Sequence, residues 1–87
     1  MTTSLPVSAD LIRRVTFFKR DEVTSDLICC EIASDDDHWI FHEELESWEL
    51  LLAEIALLPN FKTDWYERVS QPAFAPSPFI AYDKQGS

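Results

Sequence analysis

The chain has 87 residues, 46% of them hydrophobic and 13% aromatic, and a net charge of −9. This composition predicts a single domain over residues 1–87 that folds around a core rather than a disordered chain. Gly86 is the only glycine, so the sequence has no glycine-rich loop of the kind that binds phosphate groups or dinucleotides.

The sequence also argues against export and membrane insertion. No apolar run approaches the ~20 residues that cross a bilayer as a helix. The first residues, MTTSLPVSADLIRR, lack the basic and apolar stretches of a secretory signal. The two cysteines are neighbours and form no disulfide framework, as in proteins of a reducing compartment. We therefore expect a cytoplasmic protein.

The N-terminal part is predicted to be an arm followed by a strand. Residues 1–10 contain Pro6 and small polar side chains, and we expect a loose arm there. The β-branched and aromatic residues of 11–19 predict a strand, with Val15 and Phe17 on one of its faces.

Two further strands are predicted to complete an antiparallel meander. Alternation at 27–33 predicts a strand whose core-facing residues are Ile28, Cys30 and Ile32. The segment SDDD (34–37) predicts a turn, because aspartate adopts turn geometry and bonds to its own backbone. The chain then returns as a third strand at 38–44, since short links favour neighbouring strands.

One amphipathic helix follows the meander. Its apolar stripe has helical spacing and consists of Trp48, Leu51, Leu52, Ile55 and Leu58. Ser47 is the predicted N-cap. Pro59 and Asn60 are predicted to end the helix.

In the C-terminal part, the segment TDWYERVS (63–70) predicts a short second helix. Pro72, Pro76 and Pro78 impose an extended loop around Phe74. A last strand is predicted at 79–83. Residues 84–87 are predicted to be a loose tail. We thus expect an α+β fold, with a four-stranded, mostly antiparallel sheet in the order β-β-β-α-α-β and the main helix packed on one face. The sequence leaves open which edge of the meander receives the last strand.

The charge is divided unevenly along the chain. Residues 1–20 carry +3, residues 62–87 carry zero, and residues 21–61 carry twelve acids with no lysine or arginine, which gives −12. Such a field repels nucleic acids and anionic membranes and attracts basic partners. The alternative interpretation is that surplus acid only keeps a small domain soluble.

Metal binding is not predicted, although Asp35, Asp36, Asp37, His38, His42, Glu43 and Glu44 are all ligand types. On a strand, His38 and His42 lie on one face about 13 Å apart, at roughly 3.3 Å per residue. Two ligands so far apart cannot share one ion. No cofactor is predicted either.

A small enzyme or ligand-binding protein using Cys29, His42 and Glu31 is the alternative hypothesis. If the 34–37 turn pairs Ala33 with His38, Cys29 lies opposite His42, which is the minimal arrangement of a thiolate nucleophile and its base. No oxyanion hole or orienting group accompanies this pair. We therefore assign no catalytic residue.

The helix is apolar on a second face, where Leu50, Ala53 and Leu57 lie opposite the Trp48 stripe. The DWYERV helix or the proline loop could cover this face, or it could bind a basic protein partner or a second copy. The predicted partner-binding residues are Asp35, Asp36, Asp37, Glu46, Glu49, Leu50, Glu54, Leu57 and Trp65.

Three stretches, VTFFKRDEVTSDLICCEI, FHEELESWELLL and VSQPAFAPSPF, resemble a group of small bacterial proteins that have no assigned activity. The resemblance covers about residues 13–83 and implies no catalytic residues. In size and charge the chain is also similar to the immunity proteins that accompany bacterial toxins. Because the segment of charge −12 is accompanied by no catalytic motif, we expect a non-enzymatic, acidic interaction or immunity-type inhibitor domain.

Overall fold

The computed structural model describes residues 5–21, 26–70 and 78–84. A single 3₁₀ turn, Ala9–Leu11, precedes the sheet. The strands are β1 (Arg14–Asp21), β2 (Asp26–Ala33), β3 (His38–His42) and β4 (Phe79–Asp83), and the helices are α1 (Trp48–Ile55) and α2 (Trp65–Ser70). The predicted proline-rich loop falls largely on residues 71–77, which lie outside the described part.

The four strands form one antiparallel sheet in the order β3-β2-β1-β4. The predicted α+β fold with its main helix is confirmed. The last strand, whose position the sequence left open, pairs with β1. Its register shifts between Val15 and Thr16, because Ala81 is an extra residue on β4.

One face of the sheet carries the core. The buried residues that pack together are Ile12, Val15, Phe17, Ile28, Cys30, Ile32, Trp48, Leu51, Ile55, Leu58, Val69, Ala81 and Tyr82. The predicted alternation is therefore confirmed for both β1 and β2. Leu52, the remaining member of the helical stripe, is half-buried against the same core.

Phe17 lies at the centre of this core and contacts three aromatic rings. Trp65 stacks on it at a centroid distance of 3.8 Å and an angle of 9°. Trp48 and Phe61 meet it edge to face, each at 6.4 Å. Because Trp48 belongs to α1 and Trp65 to α2, this one side chain joins both helices to the sheet.

Several predicted boundaries are wrong. β1 ends at Asp21 and α2 begins at Trp65, each two residues later than predicted, and β2 begins one residue earlier, at Asp26. The first strand begins at Arg14, because Leu11 N donates to Ser8 O and closes a 3₁₀ turn. The third strand ends at His42, whose carbonyl accepts a bond from Leu45 N. The helix ends at Ile55 and continues to Leu58 only as tighter turns.

Ser47 occupies the N-cap position as predicted, but its side chain makes no capping hydrogen bond. Its carbonyl accepts the first helical bond, from Leu51 N at 2.8 Å.

The described part of the N-terminal arm contacts the domain. Leu5 and Val7 are half-buried against the core. Lys84 joins this region to the end of β4, since its Nζ donates to Asp10 O at 2.7 Å and its backbone N to Arg13 O at 2.9 Å. Residues 1–4 and 85–87 lie outside the described part.

We predict that Phe17→Ala lowers the free energy of unfolding by about 3–5 kcal/mol, the usual cost of removing a fully buried phenylalanine. Urea denaturation measures this loss. Phe18→Ala is the matched control, because Phe18 lies on the other sheet face and is only half-buried. Equal losses in the two variants would contradict the central position of Phe17.

Candidate interaction surface

The predicted cross-strand pair of Cys29 and His42 is present. Ala33 pairs with His38, and Cys29 lies directly opposite His42. Both residues are on the sheet face that points away from α1. Glu31 is on the same face, between Thr16 of β1 and Ile40 of β3.

This pair is closed to a substrate. Cys29 has no exposed surface, and its Sγ lies 3.8 Å from Leu27 O. His42 Nδ1 is buried and forms no hydrogen bond with the described residues. A nucleophile must reach the atom that it attacks. Cys29 and His42 are paired as a nucleophile and its base would be, but a substrate cannot reach the buried Cys29 thiol.

Cys30 points into the core and is held as a neutral thiol. Burial, and to a smaller extent negative charge at Cys29 and Glu31, together raise its pKa from 9.0 to about 12. It acts as a small apolar core residue, as its place in the alternation predicts.

The three aspartates form an exposed turn between β2 and β3. Ser34 N donates to Asp37 O at 2.8 Å, and Asp37 N to Ser34 Oγ at 3.2 Å. Asp35 forms an ion pair of 3.0 Å with Arg13. Asp36 and Asp37 are exposed.

The glutamates lie at the other end of β3. Glu43 is exposed, and its Oε1 accepts a hydrogen bond of 3.0 Å from Ile28 N. Glu44, Glu46 and Glu49 are exposed. The acids of 35–49 are therefore two clusters, separated by the length of β3, about 13 Å at roughly 3.3 Å per residue.

The outer face of α1 is apolar and exposed. Leu50 is 54% exposed and Leu57, in the turn that follows the helix, is 84% exposed. Ala53 and Ala56 lie between them and are also exposed, with Glu49 at the border. Since α2 packs on β1 and β4, it does not cover this face as one interpretation of the sequence proposed.

A groove of about 550 Å³ runs beside the end of α1. Its apolar lining includes Leu5, Ala9, Leu57 and Tyr82, and Glu54 and Lys84 border it. Glu54, one of the predicted partner-binding residues, thus lies between the outer face of α1 and the groove.

Trp65, the last of the predicted partner-binding residues, points into the domain. It is half-buried and stacks on Phe17, so the exposed aromatic of α2 is its neighbour Tyr66, at 52%. The structure places Glu49 and Leu50 on α1 and Leu57 in the turn that follows it, whereas the three aspartates lie in the turn between β2 and β3.

The sequence does not predict the free edge of β3, because it leaves open which edge of the meander pairs with the last strand. In the hydrogen-bond pattern of an antiparallel pair, backbone groups point alternately toward and away from the neighbouring strand. The bonds Glu43 N to Ile28 O and Ser34 N to Asp37 O fix this alternation. Trp39 and Phe41 therefore bond to β2, whereas His38, Ile40 and His42 direct their amides outward.

Over the described ranges, no group of three or more His, Cys, Asp or Glu residues is arranged to hold a metal ion. Within those ranges, no helix combines the length and the apolar character needed to span a membrane.

No family model, curated protein or solved structure matches the chain. The resemblance of the three stretches to small bacterial proteins therefore stays a prediction.

We predict that Glu43→Ala lowers the free energy of unfolding by about 1–3 kcal/mol, because it leaves the Ile28 amide, at a position only 9% exposed, without its acceptor. Glu43→Gln keeps an acceptor and should lose less. Urea denaturation compares both with Glu44→Ala, an exposed position at which the change should stay within about 0.5 kcal/mol. A loss as large at Glu44 would contradict a specific role for Glu43.

Because the pKa of the Cys30 thiol is raised in the folded chain, we predict that the protein loses stability at alkaline pH. The unfolded chain releases this proton near pH 9.0, whereas the folded chain keeps it up to a pKa of about 12. The unfolded state then binds fewer protons, so stability falls as pH rises through this window, by at most about 1.4 kcal/mol per pH unit. Urea denaturation at pH 8 and pH 10 measures the fall, which should be smaller in Cys30→Ala. An unchanged pH dependence in that variant would refute the assignment.

Proposed function

We propose that the protein is a non-enzymatic interaction domain that binds a basic protein through the outer face of α1. The exposure of Leu57 and Leu50, at 84% and 54%, is the observation that carries this proposal. Antiparallel α+β domains usually place polar residues on the solvent side of such a helix. Here that side offers two leucines and two alanines.

Burial of this face supplies the affinity. Full burial of an exposed leucine side chain stabilises a complex by about 1.5–3 kcal/mol. The groove beside Leu57 adds a concave surface that can receive an apolar side chain of the partner. A few such anchors account for most of the binding energy in typical protein interfaces.

The negative charge of the domain favours a basic partner. Residues 21–61 hold twelve acids and no basic residue, and α1 with both acidic clusters lies within this segment. A basic surface is attracted to such a field, and the attraction weakens as salt screens it. Glu46 and Glu49 are exposed near the start of the helix and act at the border of the apolar face.

An immunity-type inhibitor is the concrete form of this function. In that role the domain, acting in the cytoplasm, covers a basic surface of a toxin and needs no chemistry of its own. The closed environment of Cys29 agrees with this role, since an inhibitor requires no accessible nucleophile.

The proposal predicts that Leu50→Glu/Leu57→Glu abolishes retention of a basic protein from an extract of the source cells. The matched control is Leu11→Glu, because Leu11 is also an exposed leucine, at 56%, and lies in the 3₁₀ turn. The retained protein is then purified, and its Kd is measured by calorimetry at low and high salt. We expect the double variant to bind at least about tenfold more weakly, and high salt to weaken wild-type binding.

Two outcomes would overturn the proposal. In the first, every basic protein that Leu11→Glu retains is also retained by the double variant. In the second, light scattering shows a salt-resistant dimer that the double variant loses. The outer face of α1 would then be a contact between copies of this chain.

A further inference from the structure

We propose that a basic partner adds an extended segment to the free edge of β3, as a fifth strand whose ends carry lysine or arginine. The basic character of the partner rests on the proposed function, and the site itself is new. Strand addition of this kind uses backbone hydrogen bonds for affinity and side-chain contacts for specificity.

The edge has backbone groups available for a fifth strand. Because Trp39 and Phe41 bond to β2, the amides of His38, Ile40 and His42 point away from the sheet. Over the described ranges, the one bond to these outward groups is that from Leu45 N to His42 O. An antiparallel segment of five residues would pair with all three positions.

Within residues 38–42, the edge also lacks three features that commonly protect an exposed strand. Proteins protect sheet edges with charged residues, proline or bulges. The opposite edge of this sheet has such features, since Pro78 precedes β4 and Ala81 forms a bulge in it. The β3 sequence His-Trp-Ile-Phe-His has no charged residue and no proline, and its pairing with β2 is regular.

The charges around β3 select a partner strand with basic ends. Asp36 and Asp37 are exposed just before the strand, and Glu44 and Glu46 just after it. A segment that covers five residues of β3 therefore meets acids at both of its ends. Its centre meets Ile40, 49% exposed on the open face, so an apolar centre is complementary.

A second copy of this chain is a poor occupant of the same edge. The strand is nearly palindromic, and self-pairing about Ile40 would place His38 opposite His42 and Trp39 opposite Phe41. It would also place Asp37 opposite Glu43 at both ends of the interface. Like charges that face each other across strands are unfavourable, whereas lysine or arginine at those positions is favourable.

A nine-residue peptide, Lys-Lys-Thr-Val-Val-Val-Thr-Lys-Lys, is the probe. Fluorescence anisotropy measures its binding to the whole chain, and a peptide with glutamate at the four lysine positions is its control. We expect binding that weakens with salt, and no binding of the glutamate peptide. Amide exchange followed by NMR should show new protection at His38, Ile40 and His42, but not at Trp39 or Phe41.

Ile40→Pro tests the edge directly, because proline removes an outward amide and leaves the bonds to β2 in place. Ile40→Thr is the matched control, since it keeps the amide and a β-branched side chain. We expect at least tenfold weaker peptide binding by Ile40→Pro and near wild-type binding by Ile40→Thr. Equal binding by these two variants would overturn the proposal.

A charge reversal provides a test that does not depend on the proline variant. Asp36→Lys/Glu44→Lys changes one exposed acid at each end of β3 and should transfer the preference from the lysine to the glutamate peptide. Asp10→Lys, an exposed position beside β4, should leave the preference unchanged. An unchanged preference in the double variant would show that the acids do not select the partner.

The remaining outcomes separate this proposal from that of the α1 face. A wild-type dimer that Ile40→Pro abolishes would assign the edge to a second copy and overturn the inference. If the natural partner binds Ile40→Pro normally but not Leu50→Glu/Leu57→Glu, the α1 proposal stands and this one fails. If the lysine peptide binds the edge of β3 while no basic protein requires Leu50 and Leu57 for binding, the edge proposal stands and the α1 proposal fails.

Discussion

The pairing of Ala33 with His38 across the 34–37 turn is the constraint on which most of the surface depends. This register puts Trp39 on the core face and Ile40 on the open face. A slip of one residue would exchange the two faces of β3 and send its aromatic residues into solvent. The same register decides which amides bond to β2 and which point outward, so one turn fixes both the core contacts and the free edge.

The aromatic cluster explains why α1 can leave one of its faces exposed. Phe17 is covered by Trp48 of α1 and by Trp65 of α2, with Phe61 at a third side. α1 is a helix of eight residues, about 12 Å long at 1.5 Å per residue. Its inner stripe already closes its share of the core. The leucines of the opposite face are therefore left largely exposed, Leu50 at 54% and Leu57 at 84%.

Periodicity was sufficient to predict the strands, the main helix and the Cys29–His42 pair, because each depends on spacing along one segment or across one short turn. It was insufficient where tertiary contacts decide. Leu11 continues the apolar pattern of the first strand, yet local bonds place it in a 3₁₀ turn. Nothing in the spacing of Trp65 indicates its stacking on Phe17. The free edge of β3 could be recognised only from the strand order. That order depends on how distant segments of the chain pair, which spacing within one segment does not indicate.

The acids around β3 have two opposed effects that follow from one arrangement. A sheet edge without charge of its own invites pairing with any extended chain, including another copy. Asp37 and Glu43 lie at opposite ends of the strand, so an antiparallel copy brings acid against acid twice. The same positions attract a strand with basic ends. In the proposed complex, repulsion of a second copy at this edge and attraction of a basic strand thus come from the same side chains.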